Sequence, residues 1–139
     1  MSEPVLAEAV DGVLEITLNR PEARNAVNAA VAEGVAAALD RLDGDDGLRA
    51  AILTGAGSSF CAGMDLKAFV AGERPYAEGR GFAGIAQGPP EKPIIAAIEG
   101  FAVAGGFEVA LACDLIVAAR DAKVGIPEVK RGLVAAAGR

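Results

Sequence analysis

Two glutamates are the side chains of this sequence best suited to proton transfer. Glu108 lies in the apolar run from Phe107 to Cys113, and Glu128 follows Gly125-Ile126-Pro127. A carboxylate among apolar neighbours is costly unless it is paired or faces a cavity. Glu108 is therefore either a general acid or base or the polar side of a solvated helix. Glu128 is either a second such group or an acid at a helix N-terminus.

Two glycine-rich turns could bind an oxyanion through backbone N–H groups. They are Phe60-Cys61-Ala62-Gly63-Met64-Asp65-Leu66 and the stretch from Gly100 to Glu108. Each leads into a predicted helix, whose first N–H groups have no partner within the helix. Gly105 and Gly106 would let a ligand approach the backbone where the helix dipole is positive. An ordinary capped helix start is the structural alternative for the first turn.

Three other features receive structural interpretations. The run from Thr54 to Phe60 is similar to the start of a dinucleotide-binding loop, but Phe60 stands where the third glycine should be. Cys61 has no histidine to activate it and is predicted to be a small buried apolar residue. Asp114 is predicted to cap or turn the chain.

The composition excludes several classes of protein. The 139 residues predict one domain, 1–139, and the absence of histidine removes Ser-His-Asp, Cys-His and His-zinc sites. A formal net charge of −6 predicts no nucleic-acid partner and no attraction to anionic lipid surfaces. The two cysteines form no CxxC pair, and no signal segment or membrane span is evident. We therefore expect a reduced, cytoplasmic protein with no metal and no membrane partner.

The elements that would carry these residues alternate between strands and helices. Apolar runs on either side of Asp11-Gly12 predict an antiparallel hairpin. Apolar residues at helical spacing predict a helix over about 27 to 42 that ends before Gly44. We further expect strands at 50–54, 94–98 and 114–118, helices at 65–70, 105–113 and 128–132, and a loop at 55–63. Residues 72–92, rich in Gly, Pro and charge, are predicted to be the least ordered.

Four motifs taken together resemble the enoyl-CoA hydratase/isomerase (crotonase) family in order and spacing. They are Asn19-Arg20-Pro21-Glu22-Ala23-Arg24-Asn25-Ala26, Phe60-Cys61-Ala62-Gly63-Met64-Asp65-Leu66, Ala104-Gly105-Gly106-Phe107-Glu108 with Cys113-Asp114, and Pro127-Glu128-Val129-Lys130-Arg131-Gly132-Leu133. The resemblance covers essentially the whole chain, but only the N-terminal half to two-thirds of a family member, without its C-terminal helical part. It implies an α/β fold of stacked β-β-α turns and a homotrimer or dimer of trimers. It also implies acyl-CoA or enoyl-CoA substrates, with no metal and no further cofactor.

The resemblance also implies roles for individual residues. The backbone N–H groups of Ala62 and Gly105 correspond to the oxyanion hole that holds the thioester oxygen as it becomes an enolate. Glu108 and Glu128 match the two glutamates between which hydratases of the family hold one water. The implied substrate-binding and CoA-binding positions are Arg24, Ala62, Gly63, Met64, Asp65, Leu66 and Gly105.

The presence of both glutamates favours an enoyl-CoA hydratase, which adds water across the α,β double bond of a 2-enoyl-CoA. Family isomerases generally keep a carboxylate only at the position of Glu128, so an isomerase or another enolate-forming acyl-CoA enzyme is the alternative. A truncated fragment that binds acyl-CoA without catalysis is a third hypothesis. The sequence departs from the family pattern at Ala104, Phe107 and Arg139, and Phe107 is bulky enough to narrow an acyl pocket.

Overall fold

The computed structural model describes residues 3–126, which form alternating strands and helices. Five strands make one sheet in the spatial order β1-β2-β3-β6-β8, with β1 and β2 antiparallel and the other pairs parallel. This arrangement confirms the predicted α/β class. In chain order the elements are β1 (Val5–Val10), β2 (Val13–Leu18), α1 (Ala29–Gly44), β3 (Ala50–Gly55), α2 (Leu66–Val70), β4 (Tyr76–Ala77), β5 (Gly81–Phe82), β6 (Ile94–Ile98), β7 (Phe101–Val103), α3 (Gly105–Leu111), β8 (Leu115–Ala118) and β9 (Lys123–Gly125).

The predicted hairpin is confirmed as β1 and β2. Its turn residues Asp11 and Gly12 both have positive φ, 51° and 82°, as a two-residue turn requires to match the strand twist. Helix α1 begins at Ala29, two residues later than predicted, because the Asn28 side chain caps it by accepting a hydrogen bond from Val31 N at 3.0 Å. The buried side of α1 shares one hydrophobic core with the sheet.

Strands β7 and β9 form a small parallel sheet beside the main one. Each has three residues, too few for an alternating pattern to show in sequence, and neither was predicted as a separate strand. Strand β7 also pairs with the first glycine-rich turn through the bridge between Cys61 and Ala102. The main sheet and this small sheet therefore hold the two turns next to each other.

Residues 73–92, called the strap below, are more regular than predicted. The strap contains the β4–β5 hairpin and lies along α1. Arg80 Nη2 pairs with Asp40 Oδ1 at 2.7 Å, and Asp43 accepts hydrogen bonds from Glu91 N and Lys92 N. Because these contacts join residues that are 40 or more positions apart in sequence, local composition does not reveal them.

The far edge of the main sheet contrasts with the rest. All four residues of β8 are exposed. The predicted helix at 128–132 lies outside the described residues. Over residues 3–126 no helix is long and apolar enough to cross a membrane, and no group of histidine, cysteine or acidic side chains in that range could hold a metal ion.

Candidate active site

The first glycine-rich turn is held to β7 by backbone hydrogen bonds. Phe60 N and Cys61 N both donate to Phe101 O, at 2.9 and 3.0 Å, and Val103 N donates to Cys61 O at 3.2 Å. Ala62 N donates to Arg24 O at 3.0 Å. The prediction that Ala62 offers an unused N–H is therefore wrong, because that N–H is bonded to the 20–27 loop.

Met64 presents its backbone differently. It forms a parallel bridge with Val27, in which Val27 N donates to Gly63 O and Asp65 N donates to Val27 O, both at 2.8 Å. In such a parallel bridge Gly63 and Asp65 bond to the partner segment, and the N–H of Met64 between them points away from it. Met64 N–H accordingly has no acceptor among residues 3–126. In this turn the structure offers Met64 N–H where the sequence suggested Ala62 N–H.

The second glycine-rich turn exposes an N–H at the start of α3. Gly105 is the first helical residue, and its N–H has no acceptor within the described part of the chain. Ala104 precedes it with φ 53° and ψ −127°, a strained conformation for a residue with a side chain. Ala104 N donates to Gly125 O at 2.9 Å, and Ala104 O accepts from Phe107 N and Glu108 N. These bonds hold the strained residue in place and fix the direction of the Gly105 N–H.

The two turns are in direct contact through their glycines. A Cβ added to Gly63 would lie 3.2 Å from Gly105 N, and a Cβ added to Gly105 would lie 3.5 Å from Gly63 Cα. A Cβ added to Gly106 would overlap the carbonyl of Cys61. Glycine at these positions therefore allows a close approach of two backbones that any side chain would prevent.

Glu108 is buried beside these turns, with 5% of its surface exposed. The interpretation of Glu108 as the polar side of a solvated helix is therefore wrong. It lies one helical turn after Gly105, and residues three apart on a helix share a face. The Glu108 side chain thus lies on the same face of α3 as position 105, whose N–H is at the start of the helix. Glu128, the second predicted glutamate, lies outside the described residues.

Asp65 has a structural role next to Met64. Its Oδ1 accepts a hydrogen bond from Ala68 N at 3.0 Å and so caps α2, and its Oδ2 pairs with Arg20 Nη1 at 3.1 Å. The Ala68 N–H, followed by Arg20, lowers the pKa of the Asp65 carboxyl below its usual value. Arg20 Nη1 also donates to Ala26 O at 2.7 Å. Arg20 thereby ties the start of α2 to the 20–27 loop.

The remaining predicted binding residues lie around the same turns. Arg24 is exposed with φ 54°, and Leu66 is 63% exposed at the start of α2. Gly63 is buried between the turns. The structure thus brings together Ala62, Gly63, Met64, Asp65, Leu66, Gly105 and Glu108, with Arg24 joined to them through its carbonyl.

Sequence reasoning missed Asn25, which is fully buried. Its Nδ2 donates to Ala56 O and Ser59 O at 2.9 and 2.8 Å, and its Oδ1 accepts from Arg20 N at 2.8 Å. Its φ of 58° is one that asparagine tolerates better than most residues. The available signal was an asparagine two residues before Val27, where the predicted helix begins.

The structural interpretations of Cys61 and Asp114 are confirmed. Cys61 is buried, and its burial raises the pKa of the thiol to about 11 against the lowering effect of the Gly63 N–H, so it is a thiol at neutral pH. Asp114 Oδ2 accepts from Ile94 N at 2.9 Å, and Asp114 N donates to Ile94 O. Asp114 thus joins the start of β6 to the turn before β8.

The fold is that of the enoyl-CoA hydratase/isomerase family, to which the chain belongs. The profile of that family matches residues 8–139. Among solved structures, an enoyl-CoA hydratase from Mycobacterium marinum is 63% identical and superposes with a TM-score of 0.94 over 97% of this chain and 53% of its own. An enoyl-CoA hydratase from Mycobacterium tuberculosis H37Rv is 65% identical, with a TM-score of 0.93 over 96% of this chain and 53% of its own.

Curated relatives carry more particular names. A mevalonyl-coenzyme A hydratase from Beauveria bassiana is 46% identical over 91% of this chain and 49% of its own length. A carnitinyl-CoA dehydratase from Proteus mirabilis is 44% identical over 96% of this chain and 52% of its own length. The chain therefore spans about half the length of the relatives it matches.

Proposed function

We propose that the protein adds water across the α,β double bond of a 2-enoyl-CoA thioester. The observation that carries this proposal is that the N–H groups of Met64 and Gly105, which have no acceptor among residues 3–126, lie at two glycine-rich turns in contact, next to buried Glu108. Two such donors suit one carbonyl oxygen. The names of the relatives, hydratases and dehydratases of CoA thioesters, support the same class of reaction.

The oxyanion hole would act when charge develops on the thioester oxygen. Addition of a water oxygen to Cβ moves the double-bond electrons toward the carbonyl and gives an enolate. N–H groups already aimed at that oxygen stabilise the enolate without reorganising, and each such donor is worth on the order of 10² to 10³ in rate. We propose Met64 N–H and Gly105 N–H for this role, with Met64 in place of Ala62.

The proton balance requires one base and one acid. One glutamate takes a proton from the attacking water and the other delivers a proton to Cα, so the elements of one water molecule are added and nothing is oxidised or reduced. We assign these two roles to Glu108 and Glu128. Support for Glu108 comes from its burial and its face of α3, and support for Glu128 comes from its motif. The reaction as written calls for no redox cofactor.

The CoA portion of the substrate would bind on the exposed side of the first glycine-rich turn. We propose that the CoA portion passes over Leu66 and that Arg24 contacts its phosphates. Leu66 and Arg24 are exposed enough for such contacts. Asp65 would act by capping α2 and orienting the neighbouring Met64 rather than by touching the ligand.

The test is hydration of a short 2-enoyl-CoA, followed by the loss of ultraviolet absorbance of the conjugated thioester. Glu108→Gln and Glu128→Gln should each lower kcat by at least about 100-fold, because each removes one proton-transfer group. Glu99→Gln, at an exposed position after β6, is the matched control and should retain full activity. Full activity in either of the first two variants would contradict the proposal.

Two other outcomes identify the alternatives. If Glu108→Gln has little effect on moving a double bond in a 3-enoyl-CoA while Glu128→Gln abolishes it, the protein is an isomerase. If calorimetry shows that the wild-type chain binds an acyl-CoA but no hydration occurs, the chain binds without catalysis. A homotrimer or dimer of trimers and a cytoplasmic location stay predictions.

A further inference from the structure

The pairing of two backbone segments decides whether Met64 N–H can bind a ligand. Val27 N donates to Gly63 O and Asp65 N donates to Val27 O, both at 2.8 Å. Val27 thus lies opposite Met64. If the pairing moved by one residue, Met64 N–H would take the place of Asp65 N–H and bond to Val27 O. The position of Val27 along the first glycine-rich turn therefore keeps Met64 N–H directed away from the paired segment.

Asn25 fixes the loop that brings Val27 to this position. Its side chain is fully buried, and its Nδ2 donates to Ala56 O and Ser59 O at 2.9 and 2.8 Å. Its Oδ1 accepts from Arg20 N at 2.8 Å, and its backbone N donates to Arg20 O at 2.9 Å. The Asn25 amide thus ties the loop to the chain that leads into the first glycine-rich turn.

The backbone of the same loop also bonds to the turn. Ala62 N donates to Arg24 O at 3.0 Å, and Cys61 Sγ donates to Asn25 O at 3.2 Å. Arg24 and Asn25 both have a positive φ, 54° and 58°. This left-handed backbone is costly for residues that carry a side chain, and the buried hydrogen bonds of the Asn25 amide stabilise it. The amide therefore holds two carbonyls against the turn as well as the approach to Val27.

The space for the Asn25 amide is provided by the end of β3. A Cβ added to Gly55 would lie 2.8 Å from Asn25 Nδ2 and 2.5 Å from Ser59 O. Glycine at this position therefore lets the amide reach its acceptors. Because β3 belongs to the main sheet, the amide sets the position of the loop relative to the core of the molecule.

We propose that Asn25 is a positioning residue of the oxyanion hole, which keeps Met64 N–H directed at the ligand by fixing the pairing of Val27 with Met64. This inference rests on the proposed function, since it takes Met64 N–H and Gly105 N–H to bind the thioester oxygen. Asn25 acts through the backbone and contacts no reacting atom. The loss of its amide should displace Met64 N–H and leave Gly105 N–H in place, because the bonds of Ala104 hold the second turn.

The experiment measures how strongly the thioester carbonyl is polarised, by infrared spectroscopy of butanoyl-CoA carrying ¹³C at that carbonyl and bound to the 139-residue chain. In the wild-type chain the carbonyl stretch should lie at a lower frequency than in buffer, because two fixed donors polarise the bond more than water does. Asn25→Gly keeps the positive φ but removes the three side-chain hydrogen bonds. It should lose roughly half of the frequency shift, since one of two donors is displaced.

Two further measurements separate this role from a general loss of structure. Asn25→Asp keeps an acceptor for Arg20 N but has no donor for Ala56 O and Ser59 O, so it should reduce the frequency shift as well. In the hydration of a short 2-enoyl-CoA, both Asn25 variants should lower kcat by about 100-fold and change KM much less, because the oxyanion hole acts mainly on the developing charge.

Asn28→Ala is the matched control. Asn28 follows Asn25 in the same part of the chain, but its side chain caps α1 by accepting from Val31 N at 3.0 Å. The control should lower the urea concentration at the unfolding midpoint and leave the carbonyl frequency and kcat at their wild-type values. An equal loss of the shift in Asn28→Ala would overturn the role of Asn25, because reduced stability would then explain both.

The remaining outcomes distinguish this inference from the proposed function. A folded Asn25 variant that binds the thioester with the wild-type carbonyl frequency would overturn the role of Asn25 alone. If Asn25→Gly does not fold, the frequency in Asn25→Asp decides. A wild-type chain that does not bind the thioester, or binds it with no lowering of the carbonyl frequency, would overturn the oxyanion hole of the proposed function and this inference together.

Discussion

The side of the sheet near α1 and the side near β8 differ sharply in how they are packed. Around α1, Leu14, Leu39 and Leu53 are fully buried. At the other edge, Leu115 and Val117 are each 63% exposed. On the α1 side the described residues already cover the apolar side chains of the sheet. The β8 side is a contiguous apolar surface, and monomers rarely expose such a surface unless it has a use.

Core substitutions should show the largest difference between the two sides. Leu53→Ala removes a fully buried side chain and should lower the free energy of unfolding by about 2–5 kcal/mol. Leu115→Ala on β8 should change it by less than about 0.5 kcal/mol. Urea denaturation of both variants measures this. An equal loss of stability in Leu115→Ala would show that β8 is covered in solution and would contradict the difference between the two sides.

The glycines offer a second test, with a somewhat smaller expected effect. Gly106→Ala places a methyl group against the carbonyl of Cys61 and should cost about 1–3 kcal/mol of stability. Because the clash pushes apart the two turns, it should also lower thioester affinity. Gly125→Ala in β9 meets nothing within 4 Å and should be neutral in both measurements. Urea denaturation and calorimetry on the two variants measure these effects. If Gly106→Ala is as stable as the wild-type chain and binds the thioester equally well, the two turns are not in contact as the structure shows.

Lys92, at the end of the strap, should contribute more to stability than Lys123 on β9. Lys92 Nζ donates to Leu42 O, Asp45 O and Leu48 O at 2.6–2.7 Å, and so joins the end of the strap to the last turn of α1 and to the loop after it. Lys92→Met should cost about 1–3 kcal/mol, because the part-buried Leu42 O and Leu48 O lose this donor. Lys123→Met, at an exposed position on β9, is the control. If the two variants unfold at the same urea concentration, the end of the strap is not fastened as the structure shows.

The packed side was also the easier one to predict from sequence. The hairpin, α1, β3 and β6 have clear apolar periodicity, and their bounds agree with the prediction to within two residues. The strap was mispredicted because its order comes from ion pairs and hydrogen bonds such as Arg80 with Asp40. Such pairs depend on the folded topology, which local composition does not encode.

The candidate site was predicted in its parts but not in its detail. Motif positions gave both turns and Glu108, since glycines before a helix and a carboxylate in an apolar run are visible in sequence. The choice between Ala62 and Met64 depended on which N–H the 24–27 segment uses. That choice is set by the positive φ of Arg24 and Asn25 and by the buried side chain of Asn25. No pattern in the sequence fixes which N–H remains unpaired.

The smallest expected effect concerns Asp65, which lies between the packed side and the exposed α2. Because the pKa of its carboxyl is lowered in the folded protein, the charged form stabilises the fold above the unfolded pKa of about 4. That contribution is lost as the pH falls through the lower folded value. Asp65→Asn keeps a capping side chain but loses the ion pair with Arg20. It should therefore cost less than about 1 kcal/mol at neutral pH.

This cost should shrink as the pH falls below about 4, because the carboxyl of the unfolded wild-type chain then binds a proton while the folded carboxyl, whose pKa is lowered, resists protonation. Urea denaturation of the wild-type chain and Asp65→Asn at pH 7 and pH 3 measures it, with Asp46→Asn at an exposed turn position as the control for removing one charge. A difference that stays constant across this range would mean that Asp65 acts through its cap alone. Arg20 would then hold the 20–27 loop through Ala26 O without help from the start of α2.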